Sequence, residues 1–244
     1  MMEVGFKSDL GLIRENNEDS ILVDPELGLF MVADGMGGHE GGEFASSIAV
    51  HEIAHHIRQR IDCGTEPRVV IGGAIAKANA EIIRRGPVYT NGTEMGTTVV
   101  LALIRDHQVL ISHAGDSRAY MITDGVMNQL THDHSFVAEW VREGTITPEE
   151  ARVHPSRHGL YSVLGIDEEI EFETCEWPWE NHSYLLLCSD GLTDMLPDDI
   201  IEAIVDGADS PQEACDELVD AANQMGGMDN ISVIIIGRTD EQHE

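Results

Sequence analysis

Four aspartates stand where apolar runs end or begin. Leu29-Phe30-Met31-Val32-Ala33 runs into Asp34-Gly35, Leu185-Leu186-Leu187-Cys188-Ser189 into Asp190-Gly191, and Val109 to Gly115 into Asp116, while Asp229-Asn230 opens Ile231-Ser232-Val233-Ile234-Ile235-Ile236. If those ends converge, carboxylates about 4 Å apart repel by roughly 4 kcal/mol at an effective dielectric of 20, and burial adds a desolvation cost. Arg14 and Arg118 are the nearest basic residues in sequence, too few to neutralise the group. A set of oxygen ligands of this kind favours a hard divalent cation, Mg²⁺ or Mn²⁺, over zinc.

Asp34 leads through Gly35-Met36-Gly37-Gly38-His39-Glu40-Gly41-Gly42 directly into helical spacing, whereas a hairpin turn would return as a strand. Glycines in that number let backbone approach a ligand closely and leave the Gly35 carbonyl available to a cation. No G-K-[ST] follows, so the stretch is not a P-loop. Asp124-Gly125, by contrast, lies between two β segments as a two-residue hairpin turn. Arg14-Glu15-Asn16-Asn17-Glu18-Asp19 reads alone as a polar loop. Beside a carboxylate metal cluster, its arginine fork suits two phosphate oxygens, and Glu18 and Asp19 can hold a second cation directly or through water.

The elements that must carry these residues are legible from periodicity. Phe44, Ile48, Ile53, Ile57 and Ile61, then Ile71, Ile75, Ala78 and Ile82, recur close to every fourth position and predict two amphipathic helices. Asp198 to Val205 predicts a shorter helix, and Ser210, Pro211 and Glu213 supply an N-cap, an N1 proline and a capping-box acid for another. Strands are predicted at Ser20 to Val23, Leu29 to Ala33, Thr97 to Ile104, Val109 to His113, Ala119 to Ile122, Val126 to Leu130, Tyr184 to Cys188 and Ile231 to Ile236. The central ones are joined by turns so short that they must pair antiparallel. Helices before and after such a meander indicate an α+β chain of antiparallel sheets flanked by helices. His132 to Leu164 interrupts the meander as an inserted flap, with a helix start at Thr147-Pro148-Glu149-Glu150.

Composition narrows the function classes. Against Asp+Glu 45 the chain has Lys+Arg 14, a formal net charge of −31 over 244 residues. That field repels a phosphate backbone and an anionic membrane, which excludes nucleic-acid binding and membrane association. No charged leader and no apolar run of the roughly 18 residues a span requires is present, so the expectation is a cytoplasmic protein. The acid excess fits a high-salt cytosol, where screening relieves self-repulsion. Cys63, Cys175, Cys188 and Cys215 form no C-x-x-C and are expected to be reduced packing residues.

Taken in order, six stretches resemble the metal-dependent PP2C-type (PPM) protein serine/threonine phosphatases in their compact bacterial form: Arg14 through Asp19, Asp34-Gly35-Met36-Gly37-Gly38-His39, Gly96-Thr97-Thr98, Gly115-Asp116-Ser117-Arg118, Ser189-Asp190-Gly191-Leu192 and Asp229-Asn230-Ile231-Ser232. The resemblance covers almost the whole chain. It implies a four-layer α/β/β/α sandwich over residues 1–238, with a flap at about 132–164, an acidic tail at 239–244, and a metal site in a cleft at one end of the paired sheets. It makes Asp34, Asp190 and Asp229 ligands of one Mn²⁺ or Mg²⁺, and Asp34 with the Gly35 carbonyl ligands of a second, supported by Glu18 and Asp19 mainly through waters. Asp116 with Asp190 matches the place of a third, weaker ion in bacterial relatives, and Arg14 matches the phosphate-binding arginine. The activity implied is hydrolysis of phosphoserine and phosphothreonine in proteins, a metal-bridged water attacking phosphorus directly. Implied with it are phosphorylated protein partners, a cognate Ser/Thr kinase and a monomeric enzyme.

Met36 departs from eukaryotic relatives, which place there a histidine proposed as general acid; a thioether cannot donate a proton. Ser162 departs too, where relatives often carry an arginine. His39 is a candidate proton donor at the end of the glycine loop. His132 and His134 resemble a metal pair but stand in an Asp133-His134-Ser135 stretch that the family has at its flap entrance, and His55-His56 is expected on a helix surface. Met31, Met36 and Met95 are assigned to packing. Two rival functions differ in what they require. A catalytically silent phosphoprotein-binding module would lack ligands that are present here, and an acidic cation buffer would be expected to show an EF-hand loop, which is absent.

Overall fold

The computed structural model describes residues 2–37, 41–89, 94–105, 107–180 and 183–238, so His39 and the acidic tail lie outside the described residues. In chain order come β1 (Met2–Asp9), β2 (Asp19–Asp24), β3 (Leu29–Met36), α1 (Gly41–Arg60), α2 (Pro67–Tyr89), β4 (Gly96–Thr97), β5 (Val99–Arg105), β6 (Gln108–Ala114), β7 (Arg118–Thr123) and β8 (Val126–Gln129). There follow α3 (Phe136–Arg142), α4 (Pro148–Arg152), β9 (Glu173–Pro178), β10 (Ser183–Cys188), α5 (Asp190–Thr193), α6 (Asp198–Gly207), α7 (Pro211–Gln224) and β11 (Ile231–Arg238).

One sheet runs β1-β11-β10-β7-β8 and the other β2-β3-β5-β6-β9, with β4 paired to β3, and neighbouring strands are antiparallel. Alternation along each central strand separates three cores. Leu29, Met31 and Ala33 pack on α1 and α2, whereas Phe30 and Val32 meet Leu185, Leu187, Ile234 and Ile236 across the space between the sheets. Leu186, Val233 and Ile235 point the other way, onto α6 and α7. Central strands buried on both faces need apolar residues at every position, which is why they read as unbroken apolar runs. The result is the expected sandwich, helix layers outside two antiparallel sheets.

Several details differ from the sequence reading. The strand predicted over Thr97 to Ile104 is broken at Thr98, where the backbone turns aside to hydrogen-bond β3. β3 does not stop at Ala33 but continues through Asp34 and Gly35 to Met36, because its tip pairs with β4. β1 and β9, both sheet edges, were not anticipated, since a strand with one free edge and a half-exposed face carries few apolar residues. Gly5 in β1 lets α7 sit directly on the strand, because a Cβ there would collide with the backbone of Pro211 and Gln212. Ser210 caps α7 as expected, but the Glu213 carboxylate accepts from Asp209 N at 2.9 Å, one residue ahead of the capping-box position. Cys188 and Cys215 are buried packing residues, but Cys63 is exposed near the end of α1, so its assignment to packing is corrected. The Asp124-Gly125 turn has both residues at positive φ (52° and 70°), the backbone a two-residue hairpin requires.

Candidate metal centre

The acids converge where the two sheets meet. Asp19 and Asp34 are register partners on β2 and β3. Thr98 holds Asp34 on both backbone groups: Asp34 N donates to Thr98 Oγ1 at 3.0 Å, and Thr98 N donates to the Asp34 carbonyl at 2.9 Å. Thr97 Oγ1 adds a second bond to that carbonyl at 2.9 Å. The loop carrying Asp116 is tied in through Ser117 Oγ, 2.7 Å from Thr98 Oγ1. Ser189 joins the other sheet. Its hydroxyl donates to Asp19 Oδ2 at 2.9 Å and accepts from Ser232 N at 3.0 Å, which puts Asp190, the first residue of α5, beside Asp34.

Asp229 precedes β11, and its Oδ2 takes a 2.6 Å ion pair from Arg14. Asn230, buried, holds the Arg14 loop by three bonds: its Oδ1 accepts from Glu18 N at 2.8 Å, and its Nδ2 donates to the carbonyls of Leu10 and Asn16, both at 3.0 Å. The Glu18 carboxylate packs against Gly42 at the start of α1, so Gly42 has no room for a side chain, and a Cβ on Gly35 would strike the Gly42 carbonyl. Close approach of three backbone segments therefore explains the glycines at this corner.

The electrostatics are those of buried acids crowded together, with Arg14 on Asp229 as a cation paired within the group. Burial, followed by the charges of Asp190 and Asp229, pushes Asp19 up to about 7. Burial, with Asp194 and Asp229 nearby, raises Asp190 to about 6. Asp34 and Asp116 are raised well above the usual carboxylate range, again first by burial and then by neighbouring acids. Asp19 Oδ1 and Asp190 Oδ1 are buried with no hydrogen-bond partner. Arg118 does not relieve them, because its guanidinium is forked onto Asp133 (2.8 and 2.7 Å) at the base of the flap. Buried carboxylate oxygens without donors are the donor set of a hard divalent cation, and the residues present fit one.

An open cavity of about 870 Å³ extends from Asp116 and Asp190 along the flap helices α3 and α4. His158, Asp190 and Asp194 bring ligand atoms within 4.8 Å of one another on its wall. Sequence reasoning missed His158 and Asp194; the i, i+4 spacing of Asp190, which opens α5, and Asp194, which caps its end, was the available signal. Of the flap histidines, His132 is exposed and His134 buried. His113, His134 and Glu173 also approach one another, but the two rings lie 4.6 Å apart and only 30° from parallel, so their in-plane lone pairs do not converge on one ion. Burial and the adjacent His113 push His134 down to about 4, which fits a neutral packing role.

The chain and its fold are similar to those of known proteins. The family model described as protein phosphatase 2C matches residues 14–221. A serine/threonine phosphatase, stp, of Listeria innocua is 37% identical over 97% of this chain and 96% of its own length. The crystal structure of the Mycobacterium tuberculosis serine/threonine phosphatase PstP/Ppp superposes with a TM-score of 0.89 at 33% identity, covering 98% of this chain and 99% of that one. A structure of the catalytic domain of serine/threonine protein phosphatase PstP in complex with 2 manganese ions gives a TM-score of 0.86 at 32% identity, covering 98% and 99%.

Proposed function

The chain belongs to the protein phosphatase 2C family and is a protein serine/threonine phosphatase, and from that premise we propose that its buried acids form a binuclear metal site where phosphoserine and phosphothreonine of other proteins are hydrolysed. Asp34, Asp190 and Asp229 hold one Mn²⁺ or Mg²⁺; Asp34 and the Gly35 carbonyl hold the second, with Glu18 and Asp19 supporting it; Asp116 and Asp190 take a weaker third ion. The observation that carries this reading is the pair of buried, partnerless oxygens on Asp19 and Asp190 among acids raised by burial and then by one another. Cations held there would supply Lewis acidity toward a water and the phosphoryl group, which the very slow hydrolysis of phosphate monoesters needs.

The chain's own groups do the positioning. Arg14, half exposed on Asp229 at the rim, offers a planar fork to two phosphoryl oxygens and orients the ester for in-line attack. Thr98 and Ser189 hold Asp34 and Asp19 so that neither carboxylate needs to reorganise when charge develops. Met36 offers no proton to the leaving group, and His158 is the imidazole that lies at the cavity side of Asp190. In the same reading residues 1–238 are the catalytic domain, residues 132–164 its flap, a Ser/Thr kinase supplies the phosphoproteins, and the enzyme works as a cytoplasmic monomer.

The test is phosphate release from para-nitrophenyl phosphate and a phosphothreonine peptide. Mn²⁺ or Mg²⁺ should support it and EDTA abolish it. Asp34→Asn and Asp190→Asn should lower turnover by about 10³-fold and reduce Mn²⁺ uptake in calorimetry. Arg14→Ala should act mainly on KM, by roughly ten-fold. Near-normal turnover by either Asp variant refutes the assignment.

A further inference from the structure

In so acidic a chain most cations have found a carboxylate. Among the described residues Lys7, Arg14, Arg58, Arg68, Lys77, Arg84, Arg85, Arg105, Arg118 and Arg142 all form ion pairs. Arg60, Arg152, Arg157 and Arg238 form none there, and of these Arg152 and Arg157, both exposed, line the 870 Å³ cavity that ends at Asp116 and Asp190. The other cations of that cavity are already engaged, Arg118 by Asp133 and Arg142 by Glu139. Two unspent guanidinium groups thus stand on the flap side of a cavity far larger than one phosphoryl group fills. The cavity is also lined by the stretch from Asp190 to Pro197, in which Asp194 feels the charge of Arg157, and by apolar Val137, Val141 and Ala151. A net charge of −31 repels an acidic polypeptide from most of the surface, so a local cation pair is where such a polypeptide can be accepted.

We propose that Arg152 and Arg157 select phosphoproteins that carry a second anionic side chain near the phosphorylated serine or threonine. This rests on the phosphoryl group docking at the acid cluster as proposed above; it adds which phosphoproteins are preferred. The second anion is either a carboxylate or another phosphate. Both accept from guanidinium, and the phosphate, with about −1.5 to −2 charge and three acceptor oxygens, pairs more strongly.

The experiment measures kcat/KM of the Mn²⁺-loaded enzyme on phosphothreonine peptides. Positions on either side carry in turn Ala, Lys, Asp or a non-hydrolysable phosphonate. The expected order is phosphonate, Asp, Ala, Lys, with about five-fold between Asp and Ala at the best position, narrowing in high KCl. In the Arg152→Ala/Arg157→Ala double variant the Asp-to-Ala ratio should fall to about one. Arg157→Lys should retain most of the preference, and Arg157→Glu should shift it toward the Lys peptide. Equal kcat/KM for the Asp and Ala peptides in the unaltered enzyme overturns the proposal, and so does a double variant that loses activity on every peptide alike. Failure of the unaltered enzyme on every phosphopeptide overturns the docking at the acid cluster and this proposal with it, whereas a preference indifferent to Arg152 and Arg157 overturns this proposal alone.

Discussion

Burial, then neighbouring acids, push Asp19 up to about 7 and Asp190 up to about 6, because both disfavour the charged forms. The sign of the linkage follows. Both values are raised above those of the unfolded chain, so between about pH 4 and pH 7 the metal-free folded state keeps protons that the unfolded state has released, and stability falls as pH rises through that window. Thermal melts in EDTA should give a lower Tm at pH 8 than at pH 5, Asp19→Asn should flatten the dependence, and added Mn²⁺ should restore Tm at pH 8. A metal-free Tm that does not fall between these values would contradict the assignment of the buried oxygens. The aspartates themselves were visible as acids at the ends of apolar runs. Asn230, which ties the Arg14 loop to β11, stood in the same stretch unassigned, because nothing in an Asn-Ile-Ser tripeptide shows that its amide spans three distant backbone groups.

At the level of elements, the break between β4 and β5 matters most. Thr98 looks like one more β-branched strand residue, yet it leaves the ladder to clamp Asp34 and to meet Ser117. Thr98→Val keeps the shape and removes the hydroxyl, leaving the Asp34 N–H without its buried acceptor, at a cost of about 1–3 kcal/mol. Urea unfolding of the metal-free protein should report that loss, and Mn²⁺ affinity should weaken because Asp34 keeps only the bonds to its carbonyl. Central strands and the amphipathic stripes of α1 and α2 were readable because burial forces apolar residues at predictable spacing. Edge strands β1 and β9 escaped for the opposite reason, since their partners on one side, not their own hydrophobicity, make them strands.

For the whole molecule, a net charge of −31 predicts a stability that depends on salt. Screening shortens from about 30 Å at 0.01 M to about 3 Å at 1 M, so the urea midpoint should rise between low and multimolar KCl, and equal midpoints would remove the case for a high-salt cytosol. Among the described residues no helix is long and apolar enough to cross a membrane. The amino-acid order alone determined the helix stripes, the doubly buried strands and the acids at their ends, because these follow from local spacing and from the rule that a buried strand is apolar. It also carried the motif order that points to the family. Only the tertiary structure decided which acids share one pocket, that Arg118 serves the flap rather than the cluster, and that Arg152 and Arg157 remain uncommitted beside the cavity. Charge pairing depends on distances between residues far apart in the chain, and no periodicity records those distances.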